Sequence, residues 1–157
     1  MKSTLRICLI IVSLTIQTTR SEETAKPLAP RPATNITFVA LDTETTGLSS
    51  KRDRIIEIGL VRFRNGKIIE QNSWLINPGI PIPAGSQRVH GITDAMVADK
   101  PPASEILPLA RKFIGDSVVV AHNARFDLIF MEQEYLRAGI DPPQNYWLDT
   151  LRLSRKW

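Results

Sequence analysis

Apolar residues beyond position 35 gather into short runs, each bounded by charged or turn-forming residues. Ile36–Leu41 is rich in β-branched and aromatic residues, which predicts a buried strand. Ile55–Phe63 alternates as a second strand and Lys67–Ile76 as a third. Asn65-Gly66 between them is a strong hairpin signal, because both positions tolerate φ > 0. Pro78–Pro83 cannot sustain a sheet ladder and reads as a loop. Thr93 is placed to cap a short helix over Asp94–Ala98, and Pro101-Pro102 closes that region. Ser104–Ile114 is spaced as a helix that stops at Gly115, with Pro108 implying a kink or a late start. Val118–Ala121 is another buried strand, and Phe126–Ala138 an amphipathic helix closed by Gly139. Tyr146–Leu148 reads as a last short strand and Thr150–Lys156 as the opening of a helix. The order β-β-β-α-β-α-β predicts an α/β fold. An antiparallel meander leads into parallel strands reached through helical crossovers, in one mixed sheet with helices over at least one face.

The pattern ahead of this is different. Lys2 and Arg6 precede the run Ile7–Ile16, a charged segment followed by an apolar one much shorter than the ~20 residues that span a bilayer. Residues 1–21 are expected to be a signal peptide directing export, the alternative being an ordinary apolar segment of a cytoplasmic protein. Residues 22–34, with three prolines among alanine and charge, read as a linker, which leaves 35–157 as a single folded domain. Its core needs no covalent staple, and the sole cysteine, Cys8, falls in the apolar leader. A disulfide or thiolate metal site in the domain is therefore excluded. The net charge of +4 also changes meaning. Setting aside Lys2, Arg6 and Arg20 takes Lys+Arg from 20 to 17 against 16 acids, leaving +1. Such a domain has no general attraction for phosphate backbones, so nucleic-acid binding has to come from a local site.

Two clusters could supply one. In Leu41-Asp42-Thr43-Glu44-Thr45-Thr46-Gly47, strand alternation places Asp42 and Glu44 on one face and Thr43 on the other. Two adjacent carboxylates at the end of an apolar strand repel each other, and a hard divalent cation would relieve that. On spacing alone, two solvated acids in a turn explain them equally well. In His122-Asn123-Ala124-Arg125-Phe126-Asp127, a buried strand gives way to a helix with Asp127 in its first turn. A simple helix-start acid accounts for Asp127, but this is also where ligands collect in α/β sheets.

Together, FVALDTETTGL, QRVHGIT and VVVAHNARFD resemble, in order and spacing, the DnaQ-like 3′→5′ exonuclease domain, the group that includes polymerase III proofreading subunits. The resemblance runs from about Ile36 to the last residue. It implies an RNase H-like fold and hydrolysis of a 3′-terminal phosphodiester with two Mg²⁺ or Mn²⁺ ions. Asp42, Glu44 and Asp127 would be the catalytic carboxylates and metal ligands. Asp42 would bridge both ions, Glu44 would hold the ion carrying the attacking water, and Asp127 would anchor the second. Thr45, Thr46 and Gly47 resemble the loop that lies against the terminal nucleotide, where small side chains let the backbone approach a sugar. Asn123 is carried over as a substrate-edge position and His90 as a substrate-edge or structural one, His122 as a residue that supports the ligand or packs beside it, and Phe126 as core with a wedge between bases as its alternative. The implied partner is a single-stranded 3′ end of DNA or RNA, with no membrane span and no indication of a polymerase partner.

One part of the family pattern is absent. Its third motif places a histidine and then an aspartate on a helix beyond the Asp-Thr strand end that Asp149-Thr150-Leu151 resembles. His90 and His122 are the only histidines and both precede that point, so no general base is available by sequence order. The resemblance therefore implies a domain lacking its last helix and impaired in hydrolysis, since general base catalysis contributes ~10²–10⁴-fold. A non-catalytic remnant that binds nucleic acid or a partner is the alternative.

Overall fold

The computed structural model describes residues 36–155. The expected signal peptide, the linker, Asn35 and the end of the last expected helix at Lys156 lie outside the described residues. The elements run β1 (Phe38–Thr45), β2 (Ile55–Arg64), β3 (Lys67–Leu75), α1 (Ala84–His90), α2 (Asp94–Val97), α3 (Ala103–Ile114), β4 (Val118–Ala121), α4 (Ala124–Arg137), β5 (Trp147–Asp149) and α5 (Thr150–Ser154).

The five strands form one sheet in the order β3-β2-β1-β4-β5. β1, β2 and β3 are antiparallel neighbours, whereas β4 runs parallel to both β1 and β5. This is the mixed sheet expected, meander first. Asn65 (φ 52°) and Gly66 (φ 72°) make the hairpin turn between β2 and β3. β1 runs beyond the apolar stretch through Asp42 and Glu44 to Thr45, as the expected alternation of the two acids requires, because β2 goes on pairing with it as far as Ile55. β4 pairs with β1 only over Phe38–Ala40, so the last residues of β1 have β2 on one side and no strand on the other.

α3 and α4 cover one face. Ile106, Leu107 and Ala110 of α3 and Phe130, Met131 and Tyr135 of α4 close over Val39, Leu41, Ile58, Leu60 and Val119. The Tyr135 hydroxyl donates to the Leu107 carbonyl at 3.1 Å, joining the two helices. α3 begins directly at Ala103, and Pro108 sits inside it on the exposed side. There water can satisfy the carbonyl that loses its helical donor, so the late start is not needed. α4 departs from simple amphipathicity, since its buried stripe carries two acids, Asp127 and Glu134, among the apolar residues.

α1 was not expected from the sequence. It has no buried residue, so no apolar periodicity announces it, and Gly91 (φ 80°) ends it. Thr93 stands at the start of α2, but its side chain makes no capping bond. Asp94, the first residue of α2, instead braces the preceding segment, Oδ1 accepting from Ile82 N at 2.9 Å and Oδ2 from Gln87 Nε2 at 3.0 Å. Among the described residues no helix is long and apolar enough to cross a membrane.

Candidate active site

The acidic end of β1 follows from strand parity. Val39, Leu41 and Thr43 turn toward α3 and α4, while Phe38, Ala40, Asp42 and Glu44 share the opposite face. That second face starts apolar, with Phe38 stacked on Phe63 (5.4 Å) and Ala40 beside Val61. It then becomes acidic. Asp42 pairs across from Gly59, which has no side chain to cover it, and Glu44 pairs across from Glu57. Glu57 is only 5% exposed and accepts from the Ser73 hydroxyl at 2.5 Å. Like charges directly opposite on neighbouring strands are destabilising, so this end of the sheet holds acids at a cost.

Asp127 enters where β4 ends. Beyond Ala40 the β1 backbone has lost its β4 partner, and the Asp127 carboxylate takes the vacated position. Its Oδ1 accepts from Thr43 N at 3.1 Å and from Thr43 Oγ1 at 2.7 Å. Thr43 thus completes its ladder with a side chain from the first turn of α4, which satisfies a backbone donor that would otherwise be buried unpaired. Asp127 is 4% exposed. Burial pushes its pKa up from 3.8 to about 7, against the two Thr43 hydrogen bonds, and the neighbouring Asp42 charge pushes the same way as burial. Asp42 and Asp127 therefore feel each other directly.

The loop after β1 is held from within. Thr46 is 1% exposed; its hydroxyl accepts from Arg54 N at 3.0 Å, and its carbonyl accepts from the Ser86 hydroxyl at 2.7 Å. Thr45 Oγ1 donates to the Gly47 carbonyl at 2.6 Å. Both threonine hydroxyls thus serve the loop itself. Gly47 is constrained by its neighbour rather than by any unusual backbone angle: a Cβ there would lie 2.5 Å from the Asp53 carboxylate. Leu48 at the tip is 88% exposed. Between loop residues 48–51 and Phe126 and Ile129 of α4 lies an open cleft of about 310 Å³.

The exonuclease family model matches residues 39–157, three quarters of the sequence. The chain belongs to the exonuclease family. Its DnaQ-like character is equally plain. A DNA polymerase III subunit epsilon-like protein of Rhodobacter capsulatus is 47% identical over 132 residues, covering 81% of this chain and 18% of that protein. The solved structure of exonuclease X in complex with 5′ overhanging duplex DNA is 35% identical, with a TM-score of 0.60 over 76% of this chain and 63% of that one. E. coli exonuclease I in complex with a dT13 oligonucleotide, at 21% identity and a TM-score of 0.70, shares the fold over 77% of this chain and 29% of that one. The chain spans less than a fifth of the length of the curated relatives it matches, PolC-type DNA polymerase III proteins among them.

The other positions expected at the site are placed as follows. His90 is half-buried at the end of α1; its Nδ1 accepts from Ile92 N at 3.0 Å, which leaves the proton on Nε2. Nε2 is buried without a well-formed hydrogen bond. Burial lowers the His90 pKa, opposed by the Glu57 charge and by the Thr45 backbone. Asn123 adopts a left-handed conformation (φ 62°) at the start of α4, its N–H donating to Asp149 Oδ1 at 3.1 Å while its side chain faces solvent. Asp149 Oδ1 also caps α5 by accepting from Leu151 N at 3.0 Å. His122 is exposed, with its Nδ1 3.1 Å from the hydroxyl of buried Thr150. Phe126 is half-buried against Phe130, ring centroids 4.8 Å apart, with its edge on the cleft.

Two contributors escaped the sequence reading. Thr43 anchors Asp127 although it points away from Asp42 and Glu44, and parity alone gives no hint of this. Glu57 adds a fourth carboxylate, and its signal was present: a glutamate inside the otherwise apolar run IIEIGLV. The donors suit a hard divalent cation in kind, all being carboxylate oxygens whose mutual repulsion a cation would offset. Their placement is looser than their chemistry. Among the described residues, no three of His, Cys, Asp or Glu converge closely enough to hold a metal ion. The structure couples Asp42 with Asp127 and does not draw Asp42, Glu44 and Asp127 into one closed set.

Proposed function

We propose that this domain hydrolyses the terminal phosphodiester of single-stranded 3′ ends, with Asp42, Glu44 and Asp127 as its catalytic carboxylates. One observation carries the reading. A buried carboxyl at the start of α4 meets the acidic end of β1 with only neutral donors and another acid beside it, and is raised to about 7. Perturbed carboxyls at a strand end in an α/β sheet mark functional sites. Mg²⁺ or Mn²⁺ held by these acids would supply Lewis-acid stabilisation of the developing phosphate charge and lower the pKa of water. The chain's own part is to hold those oxygens: Thr43 fixes Asp127, and the Thr46–Arg54 bonds fix the loop that would lie against the terminal nucleotide. The loop would meet its substrate through the Gly47 backbone and exposed Leu48, because the threonine hydroxyls are engaged within it. His90 and Asn123 are assigned to the substrate's edge.

The looser acid geometry favours a second reading, in which the fold binds nucleic acid without cutting it. A 5′-labelled single strand incubated with Mn²⁺ and high protein concentration separates the two. Stepwise shortening from the 3′ end that Asp42→Ala abolishes supports hydrolysis. Binding with no shortening at any metal concentration rules the catalytic reading out.

A further inference from the structure

Glu134 lies on α4 two turns beyond Asp127, on the same buried stripe, and is 1% exposed. Arg54 grips it with two bonds, Nε to Oε1 at 2.8 Å and NH2 to Oε2 at 3.0 Å, and Ile55 N adds a third to Oε1 at 3.3 Å. Arg137 NH1 also reaches Glu134 Oε1 at 2.9 Å. The same Arg137 donates to two loop carbonyls, Ser50 O at 2.5 Å and Asp53 O at 3.2 Å. Arg54 N bonds the Thr46 hydroxyl in turn. The network therefore ties loop residues 46–54 at both ends to the helix that carries Asp127. It also ties together the two walls of the 310 Å³ cleft, residues 48–51 on one side and Phe126 and Ile129 on the other. A base is a flat plate with apolar faces, and a cleft with Leu48 on one wall and Phe126 and Ile129 on the other accepts one only at a fixed width.

From this geometry we infer that Arg54, Glu134 and Arg137 form a positioning clamp that sets the width of a cleft for the 3′-terminal base, in register with Asp127. The inference rests on the proposed exonuclease function. The clamp acts through the loop and touches no reacting atom. Holding the loop in place before substrate arrives removes an ordering cost from binding, so the clamp lowers KM rather than raising kcat.

Arg137 is the residue to change, because it stands at the rim and its loss leaves Glu134 still paired with Arg54. Steady-state kinetics would use the full chain with Mn²⁺ and two single strands, one intact and one with an abasic 3′-terminal nucleotide. Arg137→Ala should raise KM for the intact strand about tenfold, leave kcat within about threefold and change the abasic strand little. Arg137→Lys, which keeps the charge beside Glu134 but cannot bridge both carbonyls, should fall between. Amide exchange at Ser49–Asp53 should quicken in Arg137→Ala. Equal effects on both strands, a fall in kcat at constant KM, or unchanged exchange would each overturn the clamp. If the wild type does not cleave at all, the exonuclease reading fails by itself. Fluorescence anisotropy with the same two strands then decides the clamp, and equal affinities for wild type and Arg137→Ala would overturn it.

Discussion

Asp127→Asn should stabilise the metal-free domain, and more so as pH rises. The asparagine oxygen can still accept from Thr43 N and Oγ1, so the change removes the charge and keeps the anchor. In the wild type the carboxyl's pKa is raised from 3.8 to about 7, chiefly by burial. Between those values the folded chain holds a proton that the unfolded chain has released, so stability falls as pH climbs from about 4 to about 7 and levels off above. At 1.36 kcal/mol per pKa unit, the full penalty at pH 8 is roughly 4 kcal/mol. Urea unfolding in EDTA, followed by the fluorescence of the half-buried Trp74 and Trp147, measures it at pH 4.5, 6 and 8. With a slope of about 2 kcal/mol/M, the midpoint difference between variant and wild type should widen by about 2 M from the lowest pH to the highest. Titrating groups remote from Asp127 are common to both proteins and cancel in that difference, while Asp42, which feels the Asp127 charge, contributes to it. Adding Mg²⁺ at pH 8 should restore stability to the wild type and leave Asp127→Asn unmoved. Parallel pH profiles for the two proteins would refute the reasoning, since they would mean that the buried carboxyl carries no charge penalty.

Gly47→Ala should cost about 1–3 kcal/mol, because its Cβ meets the Asp53 carboxylate at 2.5 Å while Asp53 is held by Ser49 N at 2.8 Å. Adding Asp53→Ala should return part of that loss, and a thermal melt of the pair and the singles checks it. Tyr135→Phe leaves the aromatic packing but removes the bond to the Leu107 carbonyl, an expected loss of about 1 kcal/mol seen as a melting shift of a few degrees.

The sheet was legible because β1, β2 and β4 are apolar, largely β-branched runs and because Asn65-Gly66 fixes the turn that brings β3 back onto β2. α1 was not, because Ala84–His90 buries nothing and its position depends on Ser86 reaching the Thr46 carbonyl, which no local pattern encodes. The acids of β1 were legible as a pair from period-two spacing. That Asp127 would reach β1 through Thr43 was not, since the bond depends on β4 stopping short of β1's end. Glu134 was hidden for the same reason: its partner Arg54 is 80 residues away, and a glutamate in a helix ordinarily reads as solvent-facing.

The two buried acids of α4 show what kind of site this is. Asp127 and Glu134 sit on one stripe of one helix and are equally hidden from water, at 4% and 1% exposure. Glu134 is met by two guanidinium groups from this chain, and the Arg54 pKa is raised by its bond to that carboxylate. Asp127 is met by a backbone N–H and a hydroxyl, with Asp42 for a neighbour. Burying a charge without a counter-charge is costly, and the fold supplies positive groups at one of these positions and none to the other among its recorded contacts. Proximity to Arg54 and Arg137 makes Glu134 a structural tie. Asp127 is left to hold a proton or to share an ion from outside, so positive charge delivered by a ligand would be most stabilising beside Asp42 and Asp127.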